Sequence, residues 1–254
     1  VVGYQNHVKN TSRRSNCMIL HFPSAEPMDN RSALDCSGSP AILNDMRMAM
    51  DAILVGSSFG EGLLGIRPNA IHVFDVGSYS VVMSATPALI PSALDQIPVS
   101  KRPVVNPSIF DWYQNTFPDF SVALCCFDAN VNEKLEPMLW WYKPKRLDQL
   151  VAPAIDAHDG KIPDLDSWVQ VDHFLLFSIL DWENRDSRNR WIEKFGELAR
   201  VDYTDSIDDK LASFLPSYVL GGKFRTKMKN GDFILKRDAL DTQSPLELMS
   251  RGIS

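Results

Sequence analysis

The distribution of apolar positions divides the chain into a few helical and many strand-like stretches. In "SPAILNDMRMAMDAILVG", Ile42, Leu43, Met46, Met50, Ile53 and Leu54 recur at helical spacing, while Asp45, Arg47 and Asp51 fall elsewhere. Ser39 is placed to cap this helix, Pro40 suits its first turn and Gly56 can end it. A short helix is predicted in "NPSIFDWYQNTF", with Asn106 as cap and Pro107 in the first turn. Another is predicted in "SIDDKLASFL", with Ser206 as cap and Ile207, Leu211, Phe214 and Leu215 turned inward.

Strand character is strongest in "CMILHF" (17–22), "AIHVFDV" (70–76) and "FSVALCCFD" (120–128). The last is apolar on both faces, as a central strand covered on each side would be, and "PMLWWYK" is expected as its neighbour. "RPVVN" and "ELARVDYTD" read as shorter strands. "WVQVDHFLLFSIL" begins with alternation and becomes wholly apolar, like a strand running inward. "KFRTKMKNGDFILKR" places two strand-like arms around Asn230-Gly231, the pair that a type I′ hairpin turn prefers. Prolines 87, 91, 98, 103, 107 and 118 mark an irregular middle segment. These elements predict a mixed α/β, α+β-like fold. It is a strand-rich single domain over 1–254, with a central mixed sheet, a few flanking helices and a C-terminal β-hairpin. Sub-lobes 1–100 and 101–254 are the alternative division.

Composition narrows the picture further. A length of 254 residues is near the upper limit for one hydrophobic core, and 44% apolar with 23% charged residues is ordinary for a globular chain. The net charge of −6 and pI of about 5.4 favour solubility and argue against a wholly nucleic-acid-coated protein. The opening "VVGYQNHVKNTSRRSNC" lacks the apolar core of a secretory signal. "HFLLFSIL" falls well short of the roughly 20 apolar residues needed to cross a bilayer. Four cysteines without a CxxC pair give no support for a zinc ribbon, and reduced thiols in a cytoplasmic setting are expected.

Several clusters suggest chemistry. Gly56-Ser57-Ser58-Phe59-Gly60 fits GxSxG, and Asp128 with His158 or His173 would follow Ser58 in the order a serine hydrolase requires. Against this, only 57 residues precede Ser58, and the segment before it has helical rather than strand periodicity. Gly60–Gly65 fits GxGxxG, but no crossover helix fits before the next strand, so a glycine-rich turn is the better reading. Gly77 in "VFDVGSYS" suits a tight turn.

Residues 152–173, "APAIDAHDGKIPDLDSWVQVDH", carry Asp156, His158, Asp159, Asp172 and His173. Metal-assisted hydrolysis requires carboxylates and imidazoles that converge on one divalent cation with a position left for water. Strand alternation would turn Asp172 and His173 to opposite faces. Asp159-Gly160, Pro163-Asp164 and Asp166-Ser167 are also typical turn pairs, which favours an ordered loop.

The predicted hairpin offers another kind of function. A two-residue loop would gather Arg225, Lys227 and Lys229 on one face with Asp232, Ile234 and Lys236. Phe224, Thr226, Met228, Phe233 and Leu235 would take the other face, joined by Arg237. Such a row of cations suits phosphate, RNA or an acidic partner, and also serves simply to keep a sheet soluble. Of the aromatics Trp112, Tyr113, Trp140, Trp141 and Tyr142, strand alternation turns Trp140 and Tyr142 one way and Trp141 the other, so at least one is core and an outward one would serve as a contact anchor. The expectation is a soluble binding or assembly protein that meets a protein or nucleic-acid partner, or a second copy, through Arg225, Lys227, Lys229, Lys236 and exposed aromatics. A divalent-metal hydrolase using Asp156, His158, Asp159 and His173 is the alternative, and a serine hydrolase with Ser58 the third.

Overall fold

A computed structural model describes residues 1–5, 7–9, 15–52, 71–128, 132–157, 160–178, 189 and 199–236. The first elements are β1 (Val2–Tyr4), β2 (His7–Lys9), β3 (Asn16–Phe22), β4 (Ala33–Leu34) and α1 (Ile42–Ala52). After these come β5 (His72–Val76), β6 (Tyr79–Ser84), a run of 3₁₀ turns over Pro87–Gln96, α2 (Ser108–Thr116) and β7 (Ser121–Phe127). Then follow β8 (Asn132–Lys134), β9 (Met138–Trp140), β10 (Gln149–Ala152), β11 (Trp168–Phe177) and β12 (Ala199–Arg200). The last described elements are α3 (Asp209–Ala212), β13 (Tyr218–Lys229) and β14 (Phe233–Lys236). The fold is strand-rich and mixed α+β, and every strand pair among the described residues is antiparallel.

The chain groups into two compact units that interleave in sequence. One comprises Val1–Ser37, Leu64–Leu147 and Pro153–Asp164; the other comprises Gly38–Leu63, Asp148–Ala152 and Leu165–Ser254.

The first unit is built on a four-stranded sheet of order β3-β7-β6-β5. β7 is buried at all seven positions because its alternate residues serve two cores. Ala123, Cys125 and Phe127 pack with Val81, Met83, Phe22 and Trp140 on one side. Val122, Leu124 and Cys126 pack on the other with Val82, Ile90, Phe110 and Tyr113 from β6, the 3₁₀ run and α2. A continuous apolar run is what a doubly covered strand requires. "PMLWWYK" is not the neighbour of β7, whose flanks are β3 and β6; its strand β9 lies between β1 and β4 in a separate sheet. Its partners are set by contacts distant in sequence, which the run itself does not encode.

Two local features of this unit follow from residue chemistry. The Asn106 side chain accepts from the Ser108 N–H at 3.1 Å, while Pro107 already has helical φ and ψ, so α2 begins where its polar cap and imino acid place it. Gly77 turns the chain between paired strands β5 and β6 at φ +51°, a left-handed value that glycine adopts without steric cost. "RPVVN" forms no strand: Arg102 reaches back to the Ile97 carbonyl at 3.1 Å and to Asp95 at 3.3 Å, leaving Val104 90% exposed. Its β-branched residues join no ladder among the described residues.

In the second unit, α1 packs on β12 and β13 with Ile42 and Met46 buried. Its N-terminus is held differently from expectation. The Ser39 hydroxyl donates to the Ser206 carbonyl at 3.2 Å, and the Asp205 carboxylate accepts from the Ala41 N–H at 2.8 Å. A full negative charge is the stronger partner for the positive end of a helix. Asp45, in the first turn, is 8% exposed and accepts from the Thr204 N–H at 2.9 Å and the Thr204 hydroxyl at 3.0 Å. α3 is capped by Asp208 rather than Ser206; the Asp208 carboxylate accepts from the Lys210 and Leu211 amides.

The C-terminal hairpin expected around Asn230-Gly231 does not form as a paired ribbon. β13 pairs with β11 and β12, whereas β14 pairs with β10. Asn230, Gly231 and Asp232 are buried, and the Asn230 N–H donates to the Ser167 carbonyl at 2.8 Å, extending the β11–β13 ladder. The Asn-Gly pair therefore carries the chain from one sheet to another. Turn chemistry is local, but strand choice is decided by which sheet can bury Phe233, Ile234 and Leu235.

Candidate anion-binding face

β11 and β13 pair over ten residues, from Trp168 opposite Lys229 to Phe177 opposite Leu220. Successive side chains point to opposite faces of this ribbon. On the inner face, Val171, Leu175 and Met228 are buried, and Phe224 and His173 lie 6.5 Å and 5.6 Å from the Phe233 ring centroid. On the outer face β13 presents Lys223, Arg225, Lys227 and Lys229, all exposed. The matching row on β11 is Phe174, Asp172, Gln170 and Trp168. The sequence forces this division, because "KFRTKMK" alternates cation with Phe, Thr or Met, so only one facing of the strand buries the second set.

Among the described residues, Asp172 and Asp166 form ion pairs with the cations of this row. Asp172 lies 3.0 Å from the Lys223 Nζ and 3.7 Å from the Arg225 Nε, and Asp166 lies 2.8 Å from the Lys229 Nζ. The hydrogen bond from Lys223, assisted by its charge and that of Arg225, holds the Asp172 carboxyl below its ordinary range. Lys229 does the same to Asp166. Lys227 has no carboxylate partner among the described residues. These exposed ion pairs contribute little to stability, but they fix where the charged heads sit. Arg225 remains 76% exposed and Trp168 66% exposed, so the cation row ends beside an open indole. The Gln170 amide nitrogen donates to the Val171 and Thr226 carbonyls, both at 3.2 Å, and its oxygen takes no hydrogen bond from the described residues.

The other sequence candidates are distributed as follows. Asp156 is half-buried in the first unit, while Asp172 and His173 belong to the second and face opposite ways on β11. His158, Asp159 and Ser58 lie outside the described residues. No group of three His, Cys, Asp or Glu residues able to hold a metal occurs among the described residues. Lys236 stands opposite Gln149 in the β10–β14 sheet and so is not part of the row on β13; Asp232 and Ile234, expected beside the cations, are buried.

Among the aromatics, Trp140 and Tyr113 are fully buried, and Trp112, Trp141 and Tyr142 are partly so. Among the described residues the open aromatic is Trp168, which the alternation of "WVQVDHFLLFSIL" marks only as a strand position. Lys223 was also missed, although the alternation that links Arg225, Lys227 and Lys229 continues to it two residues upstream. No helix among the described residues is long and apolar enough to cross a membrane. No family model, curated protein or solved structure matches the chain.

Proposed function

We propose that the protein is a binding module whose outer β11–β13 face docks an anionic partner through Lys223, Arg225, Lys227 and Lys229. The observation that carries this reading is the charge imbalance of the row. Four exposed cations stand at alternate positions of one strand, and among the described residues Asp172 and Asp166 are their ion-pair partners while Lys227, at an interior position, has none. Alternate residues of a strand are about 6.7 Å apart, so the row presents a regular line of positive charge roughly 20 Å long. On a chain of net charge −6 such a line is a local departure from the general charge, and a polyanion gains by releasing counterions there.

The test is retention on a heparin column with a salt gradient, for the native chain and for Lys227→Glu. Retention that weakens with salt, and elution of the variant at distinctly lower salt, support the reading. Equal elution of the two proteins, or no retention at low salt, refutes it.

A further inference from the structure

We infer that the anionic partner is a single-stranded nucleic acid, its phosphates following the β13 cations and one base stacked on Trp168. This rests on the docking reading above and adds the chemical class of the partner. Two parallel rows share the outer face: cations on β13, and Trp168, Gln170, Asp172 and Phe174 directly across on β11. Neighbouring strands lie about 4.8 Å apart, so a backbone tracking one row places its bases over the other.

The exposed indole at one end of the second row supplies a stacking platform, with half-buried Phe174 at the far end. Gln170 between them keeps an acceptor oxygen for a base edge. Cations that follow a backbone beside aromatic rings that take bases are the two parts of sequence-tolerant single-strand recognition. A duplex could meet the cations, but its base faces are already stacked and unavailable to Trp168. An extended acidic peptide could match the same charge repeat, and the open indole is what favours nucleobases, each of which has a π face. With one phosphate per cation, the row accommodates about four nucleotides.

The experiment is fluorescence anisotropy with an end-labelled dT12 strand, its annealed duplex, and inorganic polyphosphate as competitor. It uses the full chain and the variants Trp168→Ala, Trp168→Phe and Asp172→Asn. Trp168 is exposed, and far-UV circular dichroism checks that each variant keeps the native spectrum.

The single strand is expected to bind more tightly than the duplex, with a log–log salt slope of about −2 to −3. Trp168→Ala should weaken dT12 binding by about tenfold while leaving competition by polyphosphate unchanged, and Trp168→Phe should recover most of the loss. Asp172→Asn removes a negative charge from the row and should tighten binding. If dT12 binds but Trp168→Ala leaves its affinity unchanged, or duplex and single strand bind equally, the nucleic-acid inference is overturned while the anionic docking face stands. If neither dT12 nor polyphosphate binds, both readings fail together.

Discussion

Replacing Asp45 by Ala would cut the tie between the first turn of α1 and the segment after β12. The carboxylate is nearly buried and accepts twice from Thr204, through its amide at 2.9 Å and its hydroxyl at 3.0 Å. A hydrogen bond to a charged group contributes about 1.5–3 kcal/mol. The two bonds share one carboxylate and one residue, and water can reach exposed Thr204, so they do not add in full. Asp45 also lies in the first helical turn, where a negative charge is favourable by about 0.3–1 kcal/mol. The expected cost of Asp45→Ala is about 2 kcal/mol, roughly a thirtyfold shift in the unfolding equilibrium.

Asp45→Asn keeps an acceptor and loses only the charge, so it should cost about half as much. Urea denaturation gives the free energies, and hydrogen exchange at the Thr204 amide reports the contact directly. In a double-mutant cycle Thr204→Val removes the hydroxyl, and coupling to Asp45→Ala of about 1 kcal/mol is expected. An unchanged exchange rate at Thr204, together with a cost below about 0.5 kcal/mol, would show that the contact is not holding the helix.

Gly77→Ala should destabilise the chain by about 1–2 kcal/mol, because alanine is strained at a left-handed φ and its methyl group would displace the Glu136 carboxylate. A urea midpoint equal to that of the native chain would contradict this. Asp172 should titrate below the ordinary carboxyl range in a pH series followed by NMR, and Lys223→Gln should move it back up. Its folded pKa is depressed, so the stabilising interaction is present above the unfolded value and lost as pH falls through the folded one. Protonation of Asp172 also removes a negative charge from the cation row, so polyanion retention should strengthen at that acid pH. An Asp172 titration unaffected by Lys223→Gln would exclude the ion pair.

What the sequence made legible was short in range. β7 was readable because six consecutive positions, 122–127, are apolar as a strand covered twice requires, and the start of α2 because Asn106 and Pro107 carry their own geometry. The division of β13 into a cationic and an apolar face was readable from alternation alone, although its upstream end at Lys223 was missed. Pairing was not readable. Asn230-Gly231 specifies a change of direction and says nothing about the partners of its arms, which turned out to be β11 and β12 for one and β10 for the other.

Caps were misassigned for a related reason. Ser39 and Ser206 have suitable side chains for the task. Asp205 and Asp208 bring a full charge, and the Ser39 hydroxyl is used on the Ser206 carbonyl. Trp168 could not be recognised as an open ring, because exposure depends on what the rest of the chain leaves uncovered.

The strict alternation along β13 has a consequence for assembly as well as for binding. A slip of one residue against β11 would drive four charged heads toward Val171 and Leu175 and turn Phe224 and Met228 out into water. Both errors are heavily penalised, so the strand has a built-in sense of inside and outside. Pairing shifted by one residue is therefore disfavoured on both faces at once, and that safeguard comes from the same seven letters that give the surface its charge.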